Sequence, residues 1–308
     1  MTVQNRIGID LGGTKVSGVL LGPAGNALDH KRVKTPANDY AETLRVIKSL
    51  VEELGHLRTG QTTVGIAIPG SISPSSGLVQ NANSTCLNGM PLKMDLERTL
   101  GKPVRIANDA NCFAISEAFD GSGAEFDTVF GVILGTGCGG GLIYKKQIID
   151  GPRGIGGEWG HTPLPSPELD ELPGPKCWCG RRGCIETWVS GPALAANHAS
   201  HFGGALTAKS IASKAADGHI ECTTSLQNYI SRLARGLATV INIIDPDCIV
   251  LGGGLSNISL LYEQLPAAIA PHVFAEKQDV LIRPPHFGDD SGVRGAAWLW
   301  DRPKINED

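Results

Sequence analysis

The sequence predicts an α/β protein built as two lobes of like topology that face a cleft. Three observations carry that expectation. An apolar run ends in Asp10-Leu11-Gly12-Gly13-Thr14-Lys15 and is followed at once by the apolar run 16–21, which reads as strand, tight turn, strand. Residues 129–134, the glycine run 135–141 and residues 142–144 restart the same pattern. A third glycine turn, Gly252-Gly253-Gly254, follows the apolar run 248–251 and opens a helix. Duplication of one unit explains the recurrence; chance in a chain with 40 glycines is the competing explanation.

The elements follow in order. Strands are expected at 6–11, 16–21 and 28–34, with Pro23-Ala24-Gly25-Asn26 as the second turn. Leu44, Ile47, Leu50, Val51 and Leu54 have helical spacing over 39–56, and Gly55 closes that helix. The apolar strand 64–68 stops at Pro69-Gly70, and a polar loop runs over 71–88. Pro91 starts a helix that ends at Gly101. Strand 104–107 gives way at Asn108-Asp109 to a helix over 110–119, and Asp120-Gly121-Ser122-Gly123 reads as a hinge. Helices are expected near 190–200, 207–216 and 224–244, and a last one near 292–300 carries Trp298 and Trp300. The small lobe is accordingly placed at 1–119 plus 292–308. The large lobe takes 120–291, with a cysteine-rich loop at 161–186.

Composition narrows the function. A chain of 308 residues can bury two cores, and 41% hydrophobic with 19% charged residues fits a soluble globular protein. A net charge of −4 argues against a dedicated nucleic-acid or acidic-membrane binder. The first ten residues hold one Arg and no apolar leader, and no apolar run is long enough to span a bilayer. Eight cysteines without a secretion signal suggest a reducing, cytoplasmic compartment. The glycine excess is read as tight turns at a site.

The glycine turns point to phosphate. Consecutive backbone amides in a turn form an anion-binding concavity, and Asp10 stands close enough in sequence to hold a metal through water. Gly135-Thr136-Gly137-Cys138-Gly139-Gly140 formally satisfies the dinucleotide fingerprint, but residues 142–149 are β-like where a helix is required. No G-x-x-x-x-G-K-[ST] run is present either. What remains is phosphate held between two hairpins, one from each lobe. Gly252-Gly253-Gly254 either clamps adenosine from the far side or serves close helix–strand packing.

Cys177-x-Cys179-x4-Cys184 with His161 upstream supplies three thiolates and an imidazole, the ligand set of a closed structural zinc site. The loop 162–176 holds five prolines and little core of its own, so a metal there would stabilise the fold directly. Asp109, at a strand-to-helix junction, is the candidate general base for a sugar hydroxyl; a helix N-cap is the other use of an aspartate there. Glu158 and His161 flank Trp159-Gly160, and Glu186 closely follows the last thiolate.

The runs at Asp10–Lys15, Ala107-Asn108-Asp109-Ala110-Asn111, Gly135-Thr136-Gly137 and Gly157-Glu158-Trp159-Gly160-His161 resemble the ROK family of sugar kinases and repressors, and residues 177–186 resemble its zinc signature. The resemblance implies an actin/hexokinase-like (ribonuclease H-like) fold, ATP-dependent phosphorylation of a hexose, and a homodimer. It makes Asp109 the base and gives the sugar to Gly70, Asn83, Asn108, Glu158, His161 and Glu186. His161 then serves zinc with one nitrogen and sugar with the other. Asp10, with Mg²⁺, and Gly12, Gly13, Thr14, Lys15, Gly135, Thr136, Gly137, Gly139, Gly140, Gly253 and Gly254 fall to ATP. Residues 68–74, 81–85 and 87–89 look most like bacterial fructokinases, some of which accept mannose, though those tend to carry an aromatic residue at Cys86. The expectation is therefore D-fructose to fructose 6-phosphate. N-acetylglucosamine, N-acetylmannosamine or glucose kinases are the alternatives within the family. A non-catalytic sugar-sensing regulator is the alternative outside it, although a strand beginning near residue 6 leaves no room for a DNA-binding domain ahead of it.

Overall fold

A computed structural model describes residues 5–36, 38–56, 62–277 and 279–300. β1 (Asn5–Leu11), β2 (Lys15–Leu21) and β3 (Ala27–Lys34) form an antiparallel meander, followed by α1 (Tyr40–Gly55) and the buried strand β4 (Thr62–Ile68). A small hairpin, β5 (Ser71–Ile72) and β6 (Val79–Gln80), interrupts the expected polar loop. α2 (Leu92–Leu100) ends where Gly101 turns left-handed at φ 63°, and β7 (Val104–Asn108) leads into α3 (Asp109–Phe119). The second lobe opens with β8 (Thr128–Leu134), β9 (Cys138–Tyr144) and β10 (Gln147–Ile148). α4 (Glu186–Val189), α5 (Gly191–Phe202), α6 (Ala208–Ala216) and α7 (Ile220–Ile244) follow. β11 (Cys248–Gly252), α8 (Ser259–Ile269), β12 (Ile282–Arg283) and α9 (Ser291–Trp298) complete the chain.

The two main sheets repeat one topology. Their orders are β3-β2-β1-β4-β7 and β10-β9-β8-β11-β12. In each, an antiparallel meander is extended by two parallel strands. Recurrence of the whole order, not only of the glycine turn, favours duplication over chance. This is the actin/hexokinase-like architecture that the sequence led us to expect.

The lobes are joined by two crossing helices. α9 lies on the first sheet so closely that a Cβ on Gly8 would meet the Val293 carbonyl oxygen at 2.0 Å, and one on Gly65 that of Ala296 at 1.8 Å. α3 lies on the second sheet, with Phe113, Ala114 and Ala118 in one cluster with Val129, Ile143 and Val250. Where the two helices cross, a Cβ on Gly295 would meet the Cys112 carbonyl at 1.6 Å. Part of the glycine excess thus serves helix–sheet and helix–helix approach, in addition to the turns to which it was assigned. α7 covers the far face of the second sheet, its Leu226, Tyr229, Leu233 and Leu237 packing with Phe130, Val132 and Leu134.

Other boundaries also move. Gly139, Gly140 and Gly141 pair with Ile133, Val132 and Gly131 inside β9 and are not part of a loop. Gly254 opens a short 3₁₀ turn, Gly254–Asn257, ahead of α8. α3, assigned to the small lobe, packs its body on the large lobe's sheet. Residues 301–308 of the small lobe as expected lie outside the described residues. The buried Glu117 carboxylate ties both crossovers together, accepting from Ser122 N at 2.9 Å, His286 N at 2.9 Å and Ser291 Oγ at 2.7 Å. Among the described residues no helix is long and apolar enough to cross a membrane.

The proline-rich loop carries an anchor that its composition hid. Its Glu171 is 5% exposed and bonds Arg232 Nε at 2.7 Å and Arg235 at 2.7 and 2.9 Å. Burial raises the Glu171 pKa, but the Arg235 and Arg232 hydrogen bonds outweigh it and hold the group at about 2. A depressed pKa adds stability above the ordinary carboxylate range, and that increment is lost as pH falls toward 2. Glu171→Gln is expected to cost about 3–5 kcal/mol, because it strands two buried guanidiniums. Urea unfolding at neutral pH measures this.

Candidate active site

The site forms where parallel strands end. β1, β4 and β7 run parallel, with Asp10 beside Ala67 and Ile68 beside Asn108, so Asp10, Gly70 and Asn108-Asp109 emerge together. In open α/β sheets ligands bind beyond the carboxyl ends of the strands. The second sheet repeats this: Gly252 at the end of β11 lies beside Ile133, which brings Gly253-Gly254 next to Gly135.

Asn108, not Asp109, caps α3. Its Oδ1 accepts from Ala110 N at 2.9 Å and Asn111 N at 3.4 Å, and its Nδ2 donates to the Gly70 carbonyl at 3.1 Å. Asp109 is thereby released from the capping role that competed with catalysis. Its Oδ1 accepts the Ala110 N–H at 2.8 Å. Asp109 is open to solvent as a residue, yet burial is the main influence raising its pKa, with the Glu158 charge also raising it and the Ala110 bond lowering it. A carboxylate lining a recess satisfies both observations. Burial likewise pushes Asp10 up to about 6, with the Asp109 charge adding to it and Lys15 opposing it. Burial raises Glu158, which His161 lowers and Glu186 raises. Asp10 thus feels the charge of Asp109, Asp109 that of Glu158, and Glu158 that of Glu186.

The first glycine turn is held from behind. Gly12 N donates to Lys15 O at 3.1 Å, and Thr35 Oγ1 donates to Gly12 O at 2.7 Å. Gly13, Gly135 and Gly254 have open space where a Cβ would lie, which is what a turn approached by a ligand needs. Gly140 differs: a Cβ there would strike Trp159 and Gly157, so packing explains it, and Gly139 similarly faces Ala110. Neither lies in the turn to which the sequence reading assigned them. A Cβ on Gly253, at φ 79°, would meet Leu134 O at 2.5 Å. Gly135, Thr136 and Gly254 line a cavity of about 1140 Å³ with Pro192, Leu255 and Leu260, large enough for a nucleoside.

Gly70 has φ 79° and no room for a Cβ, which would meet the Gln80 carbonyl at 2.4 Å. Asn83 is exposed in the following loop. The sequence reading missed why that loop holds its shape: the Asn88 amide accepts from Ala82 N at 2.8 Å and donates to Ala82 O at 2.9 Å. Cys86 is half-buried and packs against the small-lobe core.

His161, Cys177, Cys179 and Cys184 converge, with their ligand atoms all within 4.8 Å of one another. A tetrahedral shell with Zn–S of about 2.3 Å needs sulfur–sulfur edges of about 3.8 Å. The Cys179–Cys184 sulfurs are 3.6 Å apart, and His161 Nδ1 is 3.5 Å from Cys177 Sγ, so the donor set fits that ion. The cluster is mechanically linked to the glycine turn. Trp178 stacks edge-on to His161 and donates to Glu186 Oε1 at 2.8 Å, while Glu186 Oε2 accepts from Cys138 N at 3.0 Å.

Two sheets of one topology, joined by crossing helices and opening on glycine turns and carboxylates, define a phosphoryl-transferring enzyme of the actin/hexokinase-like class. The sequence matches the ROK family over residues 6–303. The chain belongs to that family and is a sugar kinase. It is 39% identical over 296 residues to the N-acetyl-D-glucosamine kinase of Yersinia pseudotuberculosis, covering 95% of this chain and 97% of that protein. Among solved structures, the ROK hexokinase of Thermus thermophilus superposes with a TM-score of 0.82 at 27% identity, over 96% and 97% of the two chains. The ROK glucokinase of Streptomyces griseus, solved with glucose and AMPPNP, gives 0.77 at 26%, over 96% and 98%.

Proposed function

We propose that this protein transfers the terminal phosphoryl group of ATP to the 6-hydroxyl of N-acetyl-D-glucosamine. The observation that carries the reading is the 39% identity to an N-acetyl-D-glucosamine kinase across 95% of the chain. This replaces fructose, toward which the loop 68–89 pointed. In this reading Asp109 takes the hydroxyl proton, helped by a raised pKa that makes it a stronger base than an ordinary carboxylate. The Asn108 amide, fixed between Gly70 and the start of α3, sets the direction from which the sugar meets Asp109. Glu158, and His161 through its Nε2, accept or donate to the remaining hydroxyls. Asn83 and Glu186 belong to the same proposed sugar contacts.

The 1140 Å³ cavity would take the nucleoside, with Gly135, Thr136, Gly137, Gly253 and Gly254 at its phosphate end. The turn Gly12, Gly13, Thr14 and Lys15 would close on the phosphates from the other lobe. Mg²⁺, held near Asp10, supplies neutralisation of phosphate charge. Zinc at His161, Cys177, Cys179 and Cys184 is structural in this reading. A homodimer and a cytoplasmic location belong to it as well.

A coupled assay over N-acetylglucosamine, N-acetylmannosamine, glucose, mannose and fructose tests the substrate. We expect kcat/KM for N-acetylglucosamine to exceed that for fructose by about tenfold or more. The reverse order would restore the fructose reading.

The carboxylates also set a pH dependence. Asp10 is pushed up to about 6 and Asp109 is raised, and both act here as anions. Protonation of Asp10 as pH falls through about 6 removes the cation-attracting charge, and Asp109 loses its base function above the ordinary carboxylate range, so kcat/KM should begin to decline on the acid side near pH 6. A pH–rate profile at saturating Mg²⁺ checks it. The stability effect has the opposite sign: a carboxyl raised above its unfolded value of 3.8 destabilises the unliganded fold as pH rises through about 6.

A further inference from the structure

We infer a second ligand site, distinct from the nucleotide and sugar positions, that takes a small anion bearing a phosphate or carboxylate group. It is a cavity of about 430 Å³ between the proline-rich loop and α5, and it shares no lining residue with the larger cavity. Asp170, Arg182, Trp188, Asn197, His201 and Arg232 are among the residues that line it.

Two observations converge on an anion. The Arg232 side chain is 6% exposed, and its Nε is spent on Glu171. Among the described residues neither of its terminal nitrogens has a protein hydrogen-bond partner, and neither is sealed from solvent, so these donors are open to the cavity that Arg232 lines. The charge count agrees: Glu171 is one carboxylate shared by Arg232 and Arg235, which leaves one buried positive charge uncompensated. The Arg232 guanidinium also sits over the Trp188 ring at 4.6 Å, which fixes its place in the cavity wall.

A largely buried guanidinium that shares its only counter-charge is costly, and an anion in the cavity would offset that cost. A guanidinium fork matches the oxygen pairs of phosphate and carboxylate. Arg182 adds a further positive group at the exposed edge, where its Nη1 donates to Gly174 O at 3.2 Å. Asp170, the remaining acid of the lining, is solvent-exposed and screened. The volume exceeds what a bare phosphate fills, which leaves room for a short organic portion beside Asn197.

Calorimetric titration of the full chain with inorganic phosphate and with phosphoenolpyruvate, in a buffer free of other oxyanions, tests this. We expect a saturable event whose affinity falls about tenfold or more in Arg182→Ala and about ten- to a hundredfold in Arg232→Gln. Arg182 is exposed, so its variant decides the matter even if Arg232→Gln does not fold. Tighter binding of phosphoenolpyruvate identifies an organic acid as the ligand class, and equal binding identifies free phosphate. Unchanged affinity in Arg182→Ala would overturn the site by placing the anion at the glycine turns, as would the absence of binding to the wild type at millimolar concentrations.

Discussion

Asp109→Asn is expected to lower turnover by about 10²–10⁴-fold while sugar affinity stays within a few-fold of wild type. The substitution preserves shape and removes only the proton acceptor. It is a clean test because Asn108, not Asp109, caps α3, so the helix start survives. The Asn oxygen can still accept the Ala110 N–H that Asp109 Oδ1 accepts at 2.8 Å. Burial and the Glu158 charge disfavour the ionised Asp109, so a neutral residue relieves that strain and the melting temperature should hold or rise. Steady-state kinetics, sugar calorimetry and a melting curve on one preparation separate the roles. Activity within tenfold of wild type would remove Asp109 as the base.

The second large effect is expected at Cys184→Ser. Cys184 is 1% exposed and contributes to a cluster whose donors lie within 4.8 Å of one another. We expect about one zinc per wild-type chain by elemental analysis and markedly less in the variant. Losing a structural metal is among the few single changes that cost roughly 4 kcal/mol or more, here a melting drop of about 10 °C. Activity should fall as well, because Trp178 and Glu186 transmit the position of the metal loop to Cys138 at the glycine turn. A variant that loses metal yet keeps wild-type turnover would uncouple the loop from catalysis.

Both substitutions fall on residues that were legible beforehand. Asp109 and the cysteine spacing stood out because chemistry at a strand end or a four-ligand metal site leaves its mark in neighbouring residues. Helix α1 was legible for the same reason, its buried Ile47, Leu50, Val51 and Leu54 repeating at the helical period. The substrate was less so. Loop 68–89 looked like a fructokinase, whereas comparison along the chain favours N-acetylglucosamine kinases, because sugar choice depends on the shape of a pocket formed by several separate segments.

Local order alone was enough for the strand–turn–strand units, the helix periods, the metal spacing and the placing of Asn108-Asp109 at a junction. Each depends on contacts between near neighbours in sequence. The folded arrangement settled the rest: that Asn108 caps and Asp109 does not, that Gly8, Gly65 and Gly295 admit crossing helices, and that Gly140 packs within a strand instead of lining a phosphate turn. It also brought Glu171 to Arg232, 61 residues away, and Glu117 to Ser291, 174 residues away. Side chains so far apart share no periodicity or motif that could announce them; only burial, by making an unpaired charge or a misplaced Cβ costly, selects which of them must meet.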